Sequence, residues 1–276
     1  MSTLTITTIQ SELTWENKEA NLEMFGRKIR AVAGKKELVI LPEMFSTGFS
    51  MSPGLLAERM DGPTVGWMRE ICAEQKIILS GSVIIEENGS YYNRLIWMLP
   101  NGNYGYYDKR HLFAYAGEDK YYSPGTKRLI SSVKGWKVNL QICYDLRFPV
   151  WARQSDSSFE QVTVAPDQRK DKGVEYDLLV YVANWPERRN HAWKTLLQAR
   201  AIENQCYVVG VNRVGTDGNN IYHSGDSMIV DPLGEILYTK SHEEDSFSIQ
   251  LDKTNLNELR AKLPFLNDAD DFLIQT

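Results

Sequence analysis

The chain has 276 residues, of which 42% are hydrophobic and 24% charged, with a formal net charge of −5. It is long enough to bury a sizeable core, and its acidic balance disfavours a polyanion such as nucleic acid as a partner. No apolar run approaches the roughly 18 residues that a membrane span needs, so no membrane partner is expected either.

Thr3 to Thr8 alternates polar with apolar residues and predicts a strand. Thr14 is a candidate helix N-cap, after which Leu22, Phe25, Ile29 and Val32 recur at helical spacing and Gly34 stops the run. Leu38 to Leu41 is a short continuous apolar run typical of a buried strand. Gly62-Pro63-Thr64 opens a second helix with Val65, Met68 and Cys72 on one face. Ile77 to Ile85 and Tyr91 to Met98 read as strands joined through Asn88-Gly89, a hairpin signal, and Asn101-Gly102 makes a second turn before a strand ending at Asp108. Leu129 to Val133 and Lys137 to Ile142 are further strands, and Phe148 to Arg153 reads as helical. The polar stretch at about 154–176 has little periodicity and reads as a surface insertion. Asp177 to Asn184 predicts a buried strand, Asn190 to Gln205 a helix, Tyr207 to Val214 a strand, and 216–240 strands with tight turns. Phe247 to Leu251 and Leu256 to Leu263 give a last strand and helix. Strands alternating with helices, with hairpins mixed in, indicate a layered α/β or α+β fold. With no Pro/Gly-rich linker, one domain over 1–276 is expected.

The first twenty residues lack a basic segment followed by an apolar one, so a cytoplasmic location is expected. Cys72, Cys143 and Cys206 are odd in number and unpaired in spacing, which suggests neither a disulfide framework nor a zinc site. The question is then whether one of them is reactive. Three short strands end in an ionisable residue: Val39-Ile40-Leu41-Pro42 at Glu43, Tyr106-Tyr107-Asp108 at Lys109, and Leu140-Gln141-Ile142 at Cys143. Strand ends are where a rigid sheet aims side chains into a crevice. A carboxylate can take the proton of a thiol, an ammonium can stabilise nearby negative charge, and the thiolate can attack an amide carbonyl. The oxyanion would rest on Lys109 and on the backbone N–H of Tyr144. Taken singly, each residue has a plainer reading: a buried apolar cysteine, an ion-pairing glutamate, a solvated lysine.

Three blocks together are more specific. Leu41-Pro-Glu43-Met-Phe-Ser-Thr-Gly-Phe49, Tyr107-Asp-Lys109-Arg-His-Leu-Phe113 and Cys143-Tyr-Asp-Leu-Arg-Phe-Pro149 resemble, in order and spacing, the signature segments of the nitrilase superfamily. Asn184-Trp-Pro186, Gln198 to Asn204 and Gly225-Asp-Ser227 resemble further family segments, and the likeness is greatest to the ω-amidase branch. The resemblance implies a four-layer α–β–β–α sandwich with Glu43 as general base, Lys109 as oxyanion stabiliser and Cys143 as nucleophile. It also implies a supporting glutamate before a Ser-Pro-Gly turn, a position that Glu118 matches; the plainer reading of Glu118 is a loop carboxylate paired with Lys120. It implies no cofactor and no metal, a small-molecule amide as partner, and a homodimer or higher homo-oligomer. Two departures stand out. Phe148-Pro149-Val150-Trp151 replaces the glutamate that several relatives carry there, and the 154–176 segment is longer than the family pattern.

ω-Amidases cut the terminal amide of small 2-oxo acids such as 2-oxoglutaramate and 2-oxosuccinamate, so a cation is needed for the substrate carboxylate. Arg147 and Arg188 are the candidates, the alternative for Arg147 being an ion pair with Asp145. Phe45, Tyr115, Asn184 and Trp185 are candidate walls of the pocket. His111, two residues after Lys109, is the best histidine for a rival Cys–His mechanism. Other reactions remain open: nitrile, N-carbamoyl or broader aliphatic amide hydrolysis, or a non-catalytic binding role.

Overall fold

The computed structural model describes residues 2–154, 174–270, 272 and 274. The predicted insertion at 154–176 therefore lies mostly outside the described residues. Two sheets form the centre. In the first, β1 (Thr3–Gln10), β2 (Leu38–Ile40) and β3 (Ile78–Glu87) run parallel, and β4 (Ser90–Met98) and β5 (Tyr104–Asp108) continue antiparallel in turn. A late strand, β13 (Asp245–Asp252), pairs with the free side of β1. In the second, β7 (Trp136–Ile142), β8 (Leu178–Val182) and β9 (Tyr207–Val211) are parallel. β6 (Leu129–Val133) flanks β7, and β11 (Tyr222–Val230) flanks β9 and carries β10 (Val214–Thr216) and β12 (Ile236–Ser241).

The period of two along these strands builds the layers. Leu38 and Ile40 of β2 meet Leu178, Val180 and Val182 of β8 between the sheets. The alternate residues Val39 and Leu41 face α1 (Lys18–Ala31) and α3 (Pro63–Gln75) through Phe25, Ile29, Val65 and Met68. On the far side Leu179 and Tyr181 face α5 (Asn190–Asn204) through Trp193 and Leu197. The result is the four-layer α–β–β–α sandwich. Strands buried on both faces need apolar residues at every position, which is why these segments read as continuous apolar runs. A register slip of one residue would exchange the two faces, so the pairing is strongly specified. Shorter helices, α2 (Pro53–Leu56), α4 (Pro149–Ala152) and α6 (Lys253–Lys262), close the edges. None of the described helices is long and apolar enough to cross a membrane.

Two expectations shift locally. The N-cap of α1 is Asn17, whose side chain accepts from Ala20 N at 3.1 Å, rather than Thr14. Thr14 instead exchanges bonds with the Asn21 side chain at 2.8 and 2.7 Å, across a turn in which Glu16 is left-handed (φ 54°). The predicted strand from Tyr207 to Val214 breaks at Asn212. The Asn212 side chain accepts from Trp185 N (2.8 Å) and donates to Trp185 O (2.9 Å), so it holds a neighbouring loop instead of continuing the ladder. The Asn88-Gly89 hairpin is as expected, with both residues left-handed at φ 53° and 78°.

β4 and β5 are locked by Arg94, whose guanidinium is buried and grips Asp108 at 2.7 and 2.9 Å and Glu87 at 2.9 Å, stacked on the Tyr106 ring at 3.8 Å. Gly125 fits against the same strand end: its N–H bonds Lys109 O at 2.9 Å, and a Cβ there would lie 2.1 Å from Asp108 O. Removing one partner of a buried pair leaves the other charge uncompensated. Arg94→Ala is therefore expected to destabilise the protein by about 3–5 kcal/mol. Equilibrium urea unfolding checks this, and an unchanged midpoint at unchanged slope would show that the pair contributes nothing.

Candidate active site

β5 runs in the same direction as β2, because two successive antiparallel pairings separate it from β3. The C-terminal ends of β2, β5, β7 and β8 therefore bring Glu43, Lys109, Cys143 and Asn184 to one place at the seam between the sheets. Cys143 sits where β7 turns abruptly into a 3-10 helix (Cys143–Arg147), in the left-handed region at φ 44°. A non-glycine residue there is strained and is held by its surroundings. Asp145 supplies part of that hold, accepting from Ile142 N at 3.0 Å.

Glu43, Lys109 and Glu118 are fully buried. Lys109 Nζ lies 2.9 Å from Glu43 Oε1, and 3.0 and 2.9 Å from the two oxygens of Glu118. Glu118 does not pair with Lys120; it sits in a short 3-10 turn (Glu118–Lys120) with its Oε2 accepting from Phe113 N at 2.5 Å. Glu43 Oε2 accepts from Asn184 N at 2.9 Å, and Asn184 Nδ2 donates to Glu43 O at 2.5 Å. Glu43 also acts on the nearby Cys143 thiol, favouring its protonated form. Asn93 on β4 completes the shell, donating to Glu43 Oε1 at 2.8 Å and Glu118 Oε1 at 3.3 Å.

One cation faces two carboxylates, and this sets the protonation of the cluster. Burial pushes the Cys143 thiol well above its ordinary value, Glu43 adds to the rise, and Lys109 only partly opposes it. Burial alone would lower Lys109, but Glu118 and Glu43 more than reverse that, so the ammonium is firmly charged. Burial raises Glu118, again against the pull of Lys109. The resting thiol is thus neutral and next to a base, rather than a free thiolate.

Asp145 ties the lysine and cysteine segments together. It accepts from Tyr107 Oη at 2.8 Å and from His111 N at 2.9 Å, and contacts His111 Nδ1 at 2.8 Å. His111 is therefore turned toward Asp145 and stacked on Phe148 (3.8 Å between rings), not toward Cys143. Asp145 is likewise engaged away from Arg147. Trp151, in the segment where the family glutamate is missing, donates to Tyr107 Oη at 2.9 Å and extends the same brace.

A cavity of about 310 Å³ opens over the cysteine, within the range of small-molecule sites. Lys109, Cys143, Tyr144, Tyr115, Arg147, Asn184, Trp185 and Arg188 all line it, with Tyr115 at the exposed rim. Phe45 does not. It is fully buried beneath β3, packed on Phe25 and Trp67, because its side chain points to the helix layer; Phe49, four residues on, takes the wall position. Phe113, Arg189, Asp217 and Asn219 also line the cavity without having been singled out, as does His223, a weaker candidate than His111 for a Cys–His pair. Arg189 follows Arg188 directly, so the doubled arginine was a visible signal, whereas Asn219 and His223 arrive from a distant hairpin. Arg147 lies over the Trp185 ring at 5.0 Å and Arg189 over Phe113 at 5.1 Å. Among the described residues none of Arg147, Arg188 and Arg189 has a carboxylate partner, although burial and the other two arginines lower Arg189. Among the described residues no group of three or more His, Cys, Asp or Glu is arranged to hold a metal.

The family model for carbon-nitrogen hydrolases matches residues 5–261. Omega-amidase YafV of Escherichia coli (strain K12) is 39% identical, the match covering 99% of each chain. A 2-oxoglutaramate amidase of Bacillus subtilis (strain 168) is 29% identical over 96% of each chain. A crystal structure of a CN-hydrolase superfamily protein from Xanthomonas campestris, with an arsenic adduct in its active site, superposes with a TM-score of 0.92 at 40% identity, covering 100% of each chain. A family model spanning nearly the whole chain, full-length relatives at this identity and a shared four-layer sandwich together establish that the chain belongs to the carbon–nitrogen hydrolase family of the nitrilase superfamily.

Proposed function

We propose that this enzyme hydrolyses the terminal amide of a small carboxylate, such as 2-oxoglutaramate or 2-oxosuccinamate, through a thioester on Cys143. The observation that carries the substrate class is the set of three arginines, Arg147, Arg188 and Arg189, which line the cavity above the thiol beside one acid, Asp217, and have no carboxylate partner among the described residues. A guanidinium fork matches a carboxylate, and a pocket that holds cations unpaired favours an anionic ligand. The named activities of the Escherichia coli and Bacillus subtilis relatives support the same reading.

In this mechanism the substrate carboxylate rests on the arginines and the amide carbon lies over Cys143. Glu43 takes the thiol proton as sulfur attacks. The oxyanion is held by Lys109, whose contacts to both Glu118 oxygens can be shared by one N–H, and by the backbone N–H of Tyr144 in the first turn of its helix. The tetrahedral intermediate collapses to a thioester as Glu43 protonates the departing nitrogen, so ammonia leaves. Glu43 then takes a proton from water as it attacks the thioester, giving the free carboxylate and the thiol. Glu118 positions Lys109. Asn184, which donates both its backbone and side-chain N–H groups to Glu43, holds the base in place.

Ammonia release from 2-oxoglutaramate is expected in the wild type and absent in Cys143→Ala; turnover in both proteins would remove Cys143 as nucleophile. Arg147→Ala and Arg188→Ala are expected to raise KM for 2-oxoglutaramate by about ten-fold or more, as loss of a charge-assisted contact does, with little effect on an uncharged short amide. Equal losses on both substrates would argue against carboxylate recognition. Because the Cys143 thiol is held above its ordinary value near 9, thiolate absorbance should be absent near neutral pH and appear only in alkaline solution. Iodoacetamide should nevertheless label Cys143 ahead of Cys72, which burial pushes up to about 12 and which has no neighbouring base. Peptide mass spectrometry reads the order, and a thiolate signal at neutral pH would contradict the charge balance described above.

A further inference from the structure

We infer that Asn93 is a positioning residue for the two carboxylates, its single amide group holding Glu43 and Glu118 apart and unprotonated so that Glu43 is free to accept the thiol proton. This rests on the reading of Glu43 and Cys143 as base and nucleophile. Asn93 is fully buried at the middle of β4, and its backbone O accepts from Lys109 N at 3.0 Å. Nδ2 donates to Glu43 Oε1 at 2.8 Å and to Glu118 Oε1 at 3.3 Å. An amide nitrogen has two N–H groups, and here each goes to a different carboxylate. The opposite orientation of the amide would bring Oδ1 against two carboxylates, so the orientation is fixed by charge. Asn93 is not among the residues lining the cavity above the thiol.

Two buried carboxylates sharing a site repel each other, and one of them tends to take up a proton. Lys109 supplies one positive charge between them. Asn184 N and Phe113 N each donate to only one of the two carboxylates. The other titratable groups around the pair bring no positive charge. They are the Cys143 thiol after β7, the Tyr122 hydroxyl beyond Glu118, which donates to Ser50 O at 2.6 Å, and Glu16 past Tyr122, itself acidic. Asn93 is the neutral donor that touches both anions without adding a charge. A second lysine in its place would balance the carboxylates but would also leave Glu43 a weaker base.

The experiment is the pH dependence of Cys143 alkylation by iodoacetamide, which needs no knowledge of the substrate. Rates are normalised to the number of Cys143 sites that label at completion, and melting temperature is recorded alongside. Asn93→Leu keeps the approximate shape without the donors, and Asn93→Asp keeps the shape but adds a third acid. Losing an N–H that favours the anion makes the carboxylate pair easier to protonate, so the acidic limb should move to higher pH. The expected move is about one unit in Asn93→Leu, an approximately ten-fold lower rate on that limb, and more in Asn93→Asp. The same shift should appear in kcat/KM for an amide that turns over, with KM little changed. Profiles that superimpose on the wild type, with only the folded or labelled fraction reduced, would show a purely structural role and overturn the proposal. Glu43→Gln is the reference: it should abolish the limb. An unchanged limb there would overturn the base–nucleophile reading itself and this inference with it, whereas an altered limb in Glu43→Gln beside an unaltered one in both Asn93 variants would overturn the inference alone.

Discussion

The structure turns on a lysine and two carboxylates enclosed together at the seam of two sheets. Taking charges out of water is costly, and a buried ion pair is rarely more stabilising than apolar residues of the same volume. Lys109, Glu43 and Glu118 therefore do not serve as fold-stabilising groups. They are tolerated because the surrounding frame satisfies them: Asn184 N, Phe113 N and Asn93 Nδ2 all donate to the carboxylates. Asn184 N and Phe113 N come from loops and Asn93 Nδ2 from within β4. The sandwich has to assemble in register before any of them is in place.

The second consequence is a neutral thiol. Burial first, and the Glu43 and Glu118 carboxylates after it, outweigh Lys109 around Cys143 and hold the thiol up, and under the proposed reading Glu43 removes its proton as sulfur attacks. A free thiolate in the resting enzyme would be open to adventitious oxidation and alkylation. A thiol with an adjacent base is activated only when proton transfer and attack are coupled. The strained backbone at Cys143 and the Asp145 brace to Tyr107 and His111 keep sulfur and base in contact.

Polarity also changes along the cavity. The two carboxylates lie below its floor, which only Lys109 of that cluster reaches, while its walls carry Arg147, Arg188 and Arg189 beside one acid, Asp217. Under the proposed reading this gradient orients an amide that bears a carboxylate. The arginines attract the charged end, the floor repels it, and the uncharged amide is left over Cys143. Trp185 and Phe113, stacked beneath guanidinium groups, fix those arginines without neutralising them.

Much of this was legible in the chain. Apolar runs such as Leu38 to Leu41 and Leu178 to Val182 declared strands covered on both faces, the Asn88-Gly89 pair declared its hairpin, and Glu43, Lys109 and Cys143 stood out at strand ends within specific blocks of sequence. These are local properties: periodicity, turn chemistry and the residue types that covalent catalysis requires. Which partner each group takes is not local. Phe45 looked like a pocket wall but points into the helix layer, Asp145 looked like a partner for Arg147 but braces His111, and Asn93 was one polar residue in a strand. The sequence by itself determined most of the elements and a layered fold, and through its resemblance to a known family it pointed to the four layers and to Glu43, Lys109 and Cys143 as candidates. Only the tertiary structure decided the side-chain pairings and the protonation of the thiol, because both depend on burial and on groups such as Glu43, Asn93, Lys109 and Cys143 that are far apart in the chain and meet only when the strands pair and the two sheets pack.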